Sequence, residues 1–158
     1  LKLSTRSRYG TRLILDLARN YNQTPVQLAV IAQRQKISVK YLEQIIRPLK
    51  DAGYITSFRG SKGGHMLTKT PQEITVGEIV ALLEGGRELI RCADNPHQCR
   101  RANLCATRYV WQEASRAMYD RINAITFGDL LNLDDELCNE DITSGPEEED
   151  ETRHRSKH

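Results

Sequence analysis

The chain has 158 residues, enough for one domain with a packed core, or a small domain plus an extension, and too few for most multidomain enzymes. Hydrophobic residues make up 39%, charged residues 28% and aromatic residues 6%, a balance that favours a soluble, helix-rich protein over an aromatic-heavy β-sandwich or a membrane span. The net charge of +2 hides three unequal blocks. Residues 1–70 carry thirteen Lys/Arg against three Asp/Glu, a balance of +10; residues 71–133 stand at −1 and residues 134–158 at −7. A basic first half followed by an acidic end points to a polyanion such as nucleic acid.

In chain order, Ser4 or Thr5 can cap a first helix reaching about Tyr21, because Tyr9, Leu13, Leu17 and Tyr21 recur on one face while Arg6, Arg8, Arg12 and Arg19 lie on the other. Thr24-Pro25 punctuates the chain, and Leu28, Ile31 and Ala32 then give a short second helix. A turn at Gln35-Lys36 leads to Ser38 as N-cap of a third helix, whose apolar stripe is Leu42, Ile45, Ile46, Leu49 and Ala52. Gly53 ends it, and Pro48 should bend it or disturb its last turns. The period then changes to that of strands: residues 54–59, a glycine-rich turn at 60–64, and a returning strand at 65–68. Helices, turn, helix and glycine-tipped hairpin form a winged helix-turn-helix, in which the helix from Ser38 enters the major groove and the hairpin reaches a minor groove.

Thr75 and Glu78 form a capping box ahead of a fourth helix closing at Gly85-Gly86. Residues 86–103 lack periodicity. From Asn103, expected as N-cap, Leu104, Trp111, Met118 and Ile125 recur every seven residues, with Ala114 and Ile122 on the same side. Such a seam calls for a partner helix, and a second copy of the chain supplies one. A short last helix follows with Leu130, Leu131 and Leu133, and the acidic segment beyond is compositionally disordered. The expected fold is mainly α with a small β-hairpin wing. Its parts are a winged helix-turn-helix domain at 1–84, a cysteine-bearing loop at 85–103, a dimerisation helix and short C-terminal helix at 104–137, and an acidic disordered tail at 138–158.

Recognition of DNA needs short polar or amide groups early on a helix, with cations beside them for phosphates. Ser38, Lys40, Tyr41 and Gln44 meet that need; Gln44 suits adenine edges, and Glu43 can accept from a cytosine amino group. Arg59 suits a narrow minor groove, and Gly60, Gly63 and Gly64 admit close backbone approach. The alternative is an ordinary solvated basic face. A nucleotide-binding loop is excluded, because the glycine run lacks the G-x-x-x-x-G-K-[ST] spacing and leads into no helix.

Cys92, Cys99 and Cys105 are separated by six and five residues, with Cys105 opening the long helix. Wide, unequal gaps without C-x2-4-C pairs fit an iron–sulfur cluster better than structural zinc, and free or redox-sensing thiols are the alternative. His97 is a loop imidazole more than a ligand, and Cys138 lies in the acidic exit. The opening LKLSTRSRYG lacks the apolar stretch of a secretory leader, so a reducing cytoplasm is expected. No Ser/His/Asp pattern or G-x-S-x-G elbow points to catalysis.

LKLSTRSRYGTR, ISVKYLEQIIRPLKDAGYITSFRGSKGGHML, ITVGEIV and three cysteines before a long helix ending ITFGDLL together resemble the IscR/NsrR-type winged-helix regulators over residues 1–137. The resemblance implies a homodimeric bacterial transcription factor on palindromic double-stranded DNA operators, with no membrane association, whose affinity responds to a [2Fe–2S] or [4Fe–4S] cluster, the former favoured. It assigns Cys92, Cys99 and Cys105 to the cluster, Tyr41, Glu43 and Gln44 to the recognition helix, and Arg59 and Gly60 to the wing. Arg108 stands where biogenesis regulators carry a ligating His, Arg8 where nitric-oxide sensors carry an Asp, and the first cysteine gap is one residue longer. The fourth ligand is therefore unassigned. A cluster-free regulator answering to thiol status or a protein partner, and an iron–sulfur carrier or electron-transfer protein, are the alternative functions.

Overall fold

The computed structural model describes residues 3–90, 97 and 99–143. Helices α1 (Thr5–Arg19), α2 (Leu28–Gln35) and α3 (Val39–Asp51) precede an antiparallel hairpin of β1 (Ile55–Phe58) and β2 (Gly64–Leu67); α4 (Val76–Glu84), α5 (Ala106–Asn123) and α6 (Phe127–Thr143) follow. This is the mainly helical, winged helix-turn-helix architecture with a long additional helix. No described helix is long and apolar enough to cross a membrane.

Caps define most boundaries. Ser4 Oγ accepts from the Ser7 amide and Ser38 Oγ from the Tyr41 amide, each satisfying an orphan donor at a helix start. At α4 the box is reciprocal: Thr75 Oγ1 accepts from the Glu78 amide and the Glu78 carboxylate from the Thr75 amide. Lys36 closes α2 in the left-handed conformation, with φ of 53°. Helix α3 runs unbroken through Pro48 to Asp51, so the lost backbone donor is tolerated, and Ala52 is an exposed C-cap instead of a core residue.

Leu13, Ile14 and Leu17 of α1 pack with Ile31, Leu42, Ile45, Leu49, Ile74, Ile79 and Phe127 into one core, all essentially excluded from solvent. Gly10 lets α1 and α4 touch: a Cβ there would meet Leu83 Cδ1 at 2.1 Å. Gly77 does the same between α4 and the end of α5, where a Cβ would meet the Asn123 side chain at 2.0 Å. Short backbone bonds lock the α5–α6 corner to the start of α4, with Val76 N–H donating to Ile125 O and Phe127 N–H to Ile74 O, both at 2.9 Å.

Three boundaries differ from the sequence expectation. First, α1 ends at Arg19, and Tyr21 follows it. Second, α5 starts after Cys105, because Ala102–Leu104 forms a 3-10 turn held by the Ala102 amide on Cys99 O and leaves Asn103 inside that turn, not at a cap. Leu104 therefore lies before the helix and is 93% exposed. Third, the last helix is not short: α6 continues through Cys138 to Thr143, into the segment expected to be disordered. Acidic residues continue a helix when no glycine or proline interrupts it, and Arg19 pairs with Asp134 beside the core.

The α1 start is also tied to the α4 end. Ser4 N–H donates to Glu84 Oε1 at 2.9 Å and Ser7 Oγ to the same oxygen at 2.5 Å. Partial burial pushes the Glu84 carboxyl up, but the hydrogen bonds from Ser7 and Ser4 and the charge of Arg6 outweigh it, so its pKa is lowered from the ordinary glutamate value. A group depressed in the folded state stabilises above its unfolded pKa and loses that contribution as pH falls through the folded pKa. Glu84→Gln is expected to lower stability at neutral pH by about 1 kcal/mol, less than a fully buried charged hydrogen bond contributes because solvent screens the exposed carboxylate. Urea titrations at pH 7 and in the acid range test this: the parent–variant difference shrinks on acidification, and a pH-independent difference would refute the assignment.

Candidate nucleic-acid interface and cysteine loop

Helix α3 is divided lengthwise by burial. Leu42, Ile45, Ile46 and Leu49 lie in the core, whereas Ser38, Lys40, Glu43 and Gln44 are exposed and Tyr41 is half-buried. Because Ser38 is the N-cap, these polar groups occupy the first two turns, the part of a recognition helix that reaches base edges. Tyr41 is held edge-on against Tyr9 of α1, with ring centroids 6.0 Å apart and planes at 87°. The Arg12 guanidinium lies 5.7 Å from the Tyr9 ring centre. Thus α1 sets Tyr9 and Arg12 beside the exposed first turns of α3. Sequence reading placed them on α1 but gave no sign of this neighbourhood.

The hairpin pairs Ile55 with Leu67, Thr56 with Met66, Ser57 with His65 and Phe58 with Gly64. Arg59 and Gly60 follow at its exposed tip, where Gly60 has φ of 105°, a conformation that favours glycine. Two ties fix the wing against α2. Val26 and His65 exchange backbone bonds at 3.0 and 2.8 Å, and Gln27 Nε2 donates to Ser61 O at 3.2 Å. Gln27, just before α2, is the other neighbour that sequence reading missed; its contact spans 34 residues and has no local signal. His65 Nδ1 lies 2.9 Å from Ser57 Oγ, and burial, then the charge of Lys50, push its pKa down. Its ring is thus part of the hairpin.

The entry to the cysteine loop is fastened to α5. Tyr119 O–H donates to Gly86 O and the Leu89 amide to Ser115 Oγ, each at 3.0 Å, and Ser115 and Tyr119 are the buried residues of α5. Cys92 lies outside the described residues. Cys99 is half-buried ahead of the 3-10 turn, and Cys105 is the N-cap of α5. The Cys105 sulfur is 3.1 Å from Thr107 Oγ1. Hydrogen bonds from Thr107 and the Arg108 amide, with the charge of Arg101, depress its thiol pKa against the effect of burial. A thiol held toward thiolate at a helix start suits a soft metal or cluster. Among the described residues no group of three or more His, Cys, Asp and Glu is gathered for a metal ion. Cys138 is exposed on α6.

The outward side of α5 carries Tyr109, Val110 and Trp111, which are 66%, 56% and 41% exposed. Trp111 belongs to the predicted seven-residue seam; Met118, Ile122 and Ile125 of that seam are half-buried within the chain.

Comparison with known proteins agrees with this architecture. The Rrf2 family profile, described as "Iron-dependent Transcriptional regulator", matches residues 3–133. Protein rrf2 of Nitratidesulfovibrio vulgaris is 47% identical over 138 residues, covering 87% of this chain and 91% of that protein. The HTH-type transcriptional regulator IscR of Klebsiella pneumoniae is 33% identical over 157 residues, covering 99% and 93%. Among solved structures, T. potens IscR superposes with a TM-score of 0.71 at 34% identity, covering 87% of this chain and 90% of that one. CymR, the global cysteine regulator of B. subtilis, gives 0.70 at 33% identity, covering 84% of this chain and 98% of that one. The chain therefore belongs to the Rrf2 family of transcriptional regulators.

Proposed function

We propose that this regulator binds palindromic double-stranded DNA as a homodimer, meeting the major groove with Ser38, Lys40, Tyr41, Glu43 and Gln44 and a minor groove with Arg59 and Gly60. The observation that carries the reading is the division of α3: its apolar side is fully committed to the core, and its polar first turns stand exposed, as does Arg59 at the hairpin tip. Lys40 and Tyr41 contribute phosphate contacts that set register, whereas Gln44 discriminates among base pairs. The Tyr9–Tyr41 contact limits the angle at which α3 can present that face.

Pairing of two copies through α5 is supported by its exposed apolar side around Trp111. A homodimer presents two recognition helices at a fixed separation, matching the two halves of a palindrome. Cys92, Cys99 and Cys105 would hold an iron–sulfur cluster, with [2Fe–2S] favoured and the fourth ligand unassigned. The depressed Cys105 thiol supports this donor set, as does likeness to proteins named IscR. When bound, the cluster would supply a group whose oxidation or loss alters the loop. The chain's own part is mechanical: Tyr119 and Ser115 grip the loop entry on the helix that sets head spacing, so a change in the loop reaches the recognition helices through α5. A cluster-free regulator of thiol status is the second reading, favoured by likeness to CymR.

Three outcomes are expected. In anisotropy titrations, Gln44→Ala lowers operator affinity by about 1–3 kcal/mol and relaxes preference at one base pair, while Arg59→Ala weakens binding at A·T-rich flanks. A double variant binding like the parent would defeat the interface assignment. Trp111→Glu shifts the protein to monomer in light scattering and lowers operator affinity with it; an unchanged dimer would place the interface elsewhere. Anaerobically purified protein carries iron, sulfide and visible absorption, lost in Cys92→Ala and in Cys105→Ala; a colourless parent with normal operator binding selects the cluster-free reading.

A further inference from the structure

Between α1, α2 and α6 lies an open depression of about 350 Å³ lined by Arg12, Arg19, Arg34, Lys36, Asp16 and Asp134. Its carboxylates are engaged. Asp16, only 2% exposed, accepts from Arg34 Nη1 at 2.9 Å and Gln35 Nε2 at 3.2 Å, and Asp134 pairs with Arg19. Among the described residues Arg12 and Lys36 have no ion pair, so the depression carries unmatched positive charge on the side toward the recognition helix. Lys36 lies two residues before the Ser38 cap, and Arg12 lies over the Tyr9 ring that touches Tyr41.

We propose that this depression is the docking site of the chain's own acidic segment Glu147, Glu148, Glu149, Asp150 and Glu151, which competes there with DNA phosphates. One carboxylate of the acidic end, Asp134, is already seated in it on Arg19. The reach matches as well. From Asp134 to Thr143 the helix advances about 14 Å at ~1.5 Å per residue. The four residues from Thr143 to Glu147 span about 14 Å when extended at ~3.4 Å each. Gly145-Pro146 between them is a turn-marking dipeptide. A chain of that length can bring the start of the five consecutive acids back to the level of Asp134, where the depression offers Lys36 and Arg12. The contact is electrostatic and salt-sensitive, so it screens the head from nonspecific polyanions while a specific operator displaces it.

The DNA part rests on the proposed DNA-binding reading; a DNA-free measurement tests the contact separately. Full-length protein treated with a water-soluble carbodiimide, which joins touching amines and carboxylates, is expected to give an intrachain amide between Lys36 and residues 147–151, in excess over links to Lys62 or Lys69. Mixed ¹⁴N/¹⁵N protein separates links within one chain from links between copies. A variant carrying Glu147→Gln, Glu148→Gln, Glu149→Gln, Asp150→Asn and Glu151→Gln loses the link and binds a non-operator duplex about fivefold tighter at low salt, the gap closing as salt rises. Links spread evenly over the lysines, or found only between copies, overturn the docking. A Lys36 link with unchanged duplex affinity overturns the competition. A parent that binds no duplex at all instead refutes the DNA-binding reading, and the Lys36 link still decides the docking.

Discussion

Helix α4 is wedged against α1 and α5 through two glycines, Leu83 of α4 packing onto the bare backbone of Gly10 and Asn123 of α5 onto that of Gly77, and the rest of the molecule is arranged around that wedge. A methyl at either position would push the helices apart or force off-rotamer side chains, at about 1–3 kcal/mol in a packed core. Because the approach is so close, the wedge also aligns hydrogen bonds at both ends. The capping box at Thr75 and the Val76–Ile125 bond fix its start, and Glu84 on Ser4 and Ser7 fixes its end. The orientation of α1, and with it the Tyr9–Tyr41 contact at the exposed first turns of α3, is inherited from α4.

The same wedge governs the cysteine loop. That loop leaves α4 at Gly85 and returns at the N-cap of α5, so both its ends are carried by helices in mutual contact. Gly86 and Leu89 are fastened to Tyr119 and Ser115 within the first residues of the loop. A buried hydroxyl is costly to leave unbonded, which makes the Tyr119 grip an obligatory feature of the packed state. Under the proposed function, a chemical event at the thiols acts on a rigid pair of helices, and the response is a change in head spacing.

Local signals in the chain identified the caps at Ser38 and Thr75, narrowed the first cap to Ser4 or Thr5, and gave the hairpin at residues 54–68, because each depends on neighbours within about four residues. The two sides of α3 were legible for the same reason: Leu42, Ile45, Ile46 and Leu49 set the buried side and leave Ser38, Lys40 and Gln44 on the exposed one, the side assigned to DNA under the proposed function. The start of α5 was not legible. Asn103 has the chemistry of a cap, but the bond from Ala102 N–H to Cys99 O turns the chain first and hands that position to Cys105. The extent of α6 was hidden as well, since acidic composition reads as disorder unless a surface such as Arg19 of α1 receives it.

By itself the sequence determined the order of elements, the basic head with its acidic end, and the three thiols ahead of a long helix, all properties written in period, charge and spacing. Tertiary structure decided which of those features meet. It set Tyr9 and Arg12 beside Tyr41, tied the wing to Gln27 and Val26, seated Glu84 on the first turn of α1, and brought Asp134 into the basic depression beside Lys36. The physical reason is range. Caps and periodicity are stabilised within a turn or two of the backbone, whereas these contacts join residues tens of positions apart and exist only after the apolar faces of α1, α3 and α4 have closed on a common core.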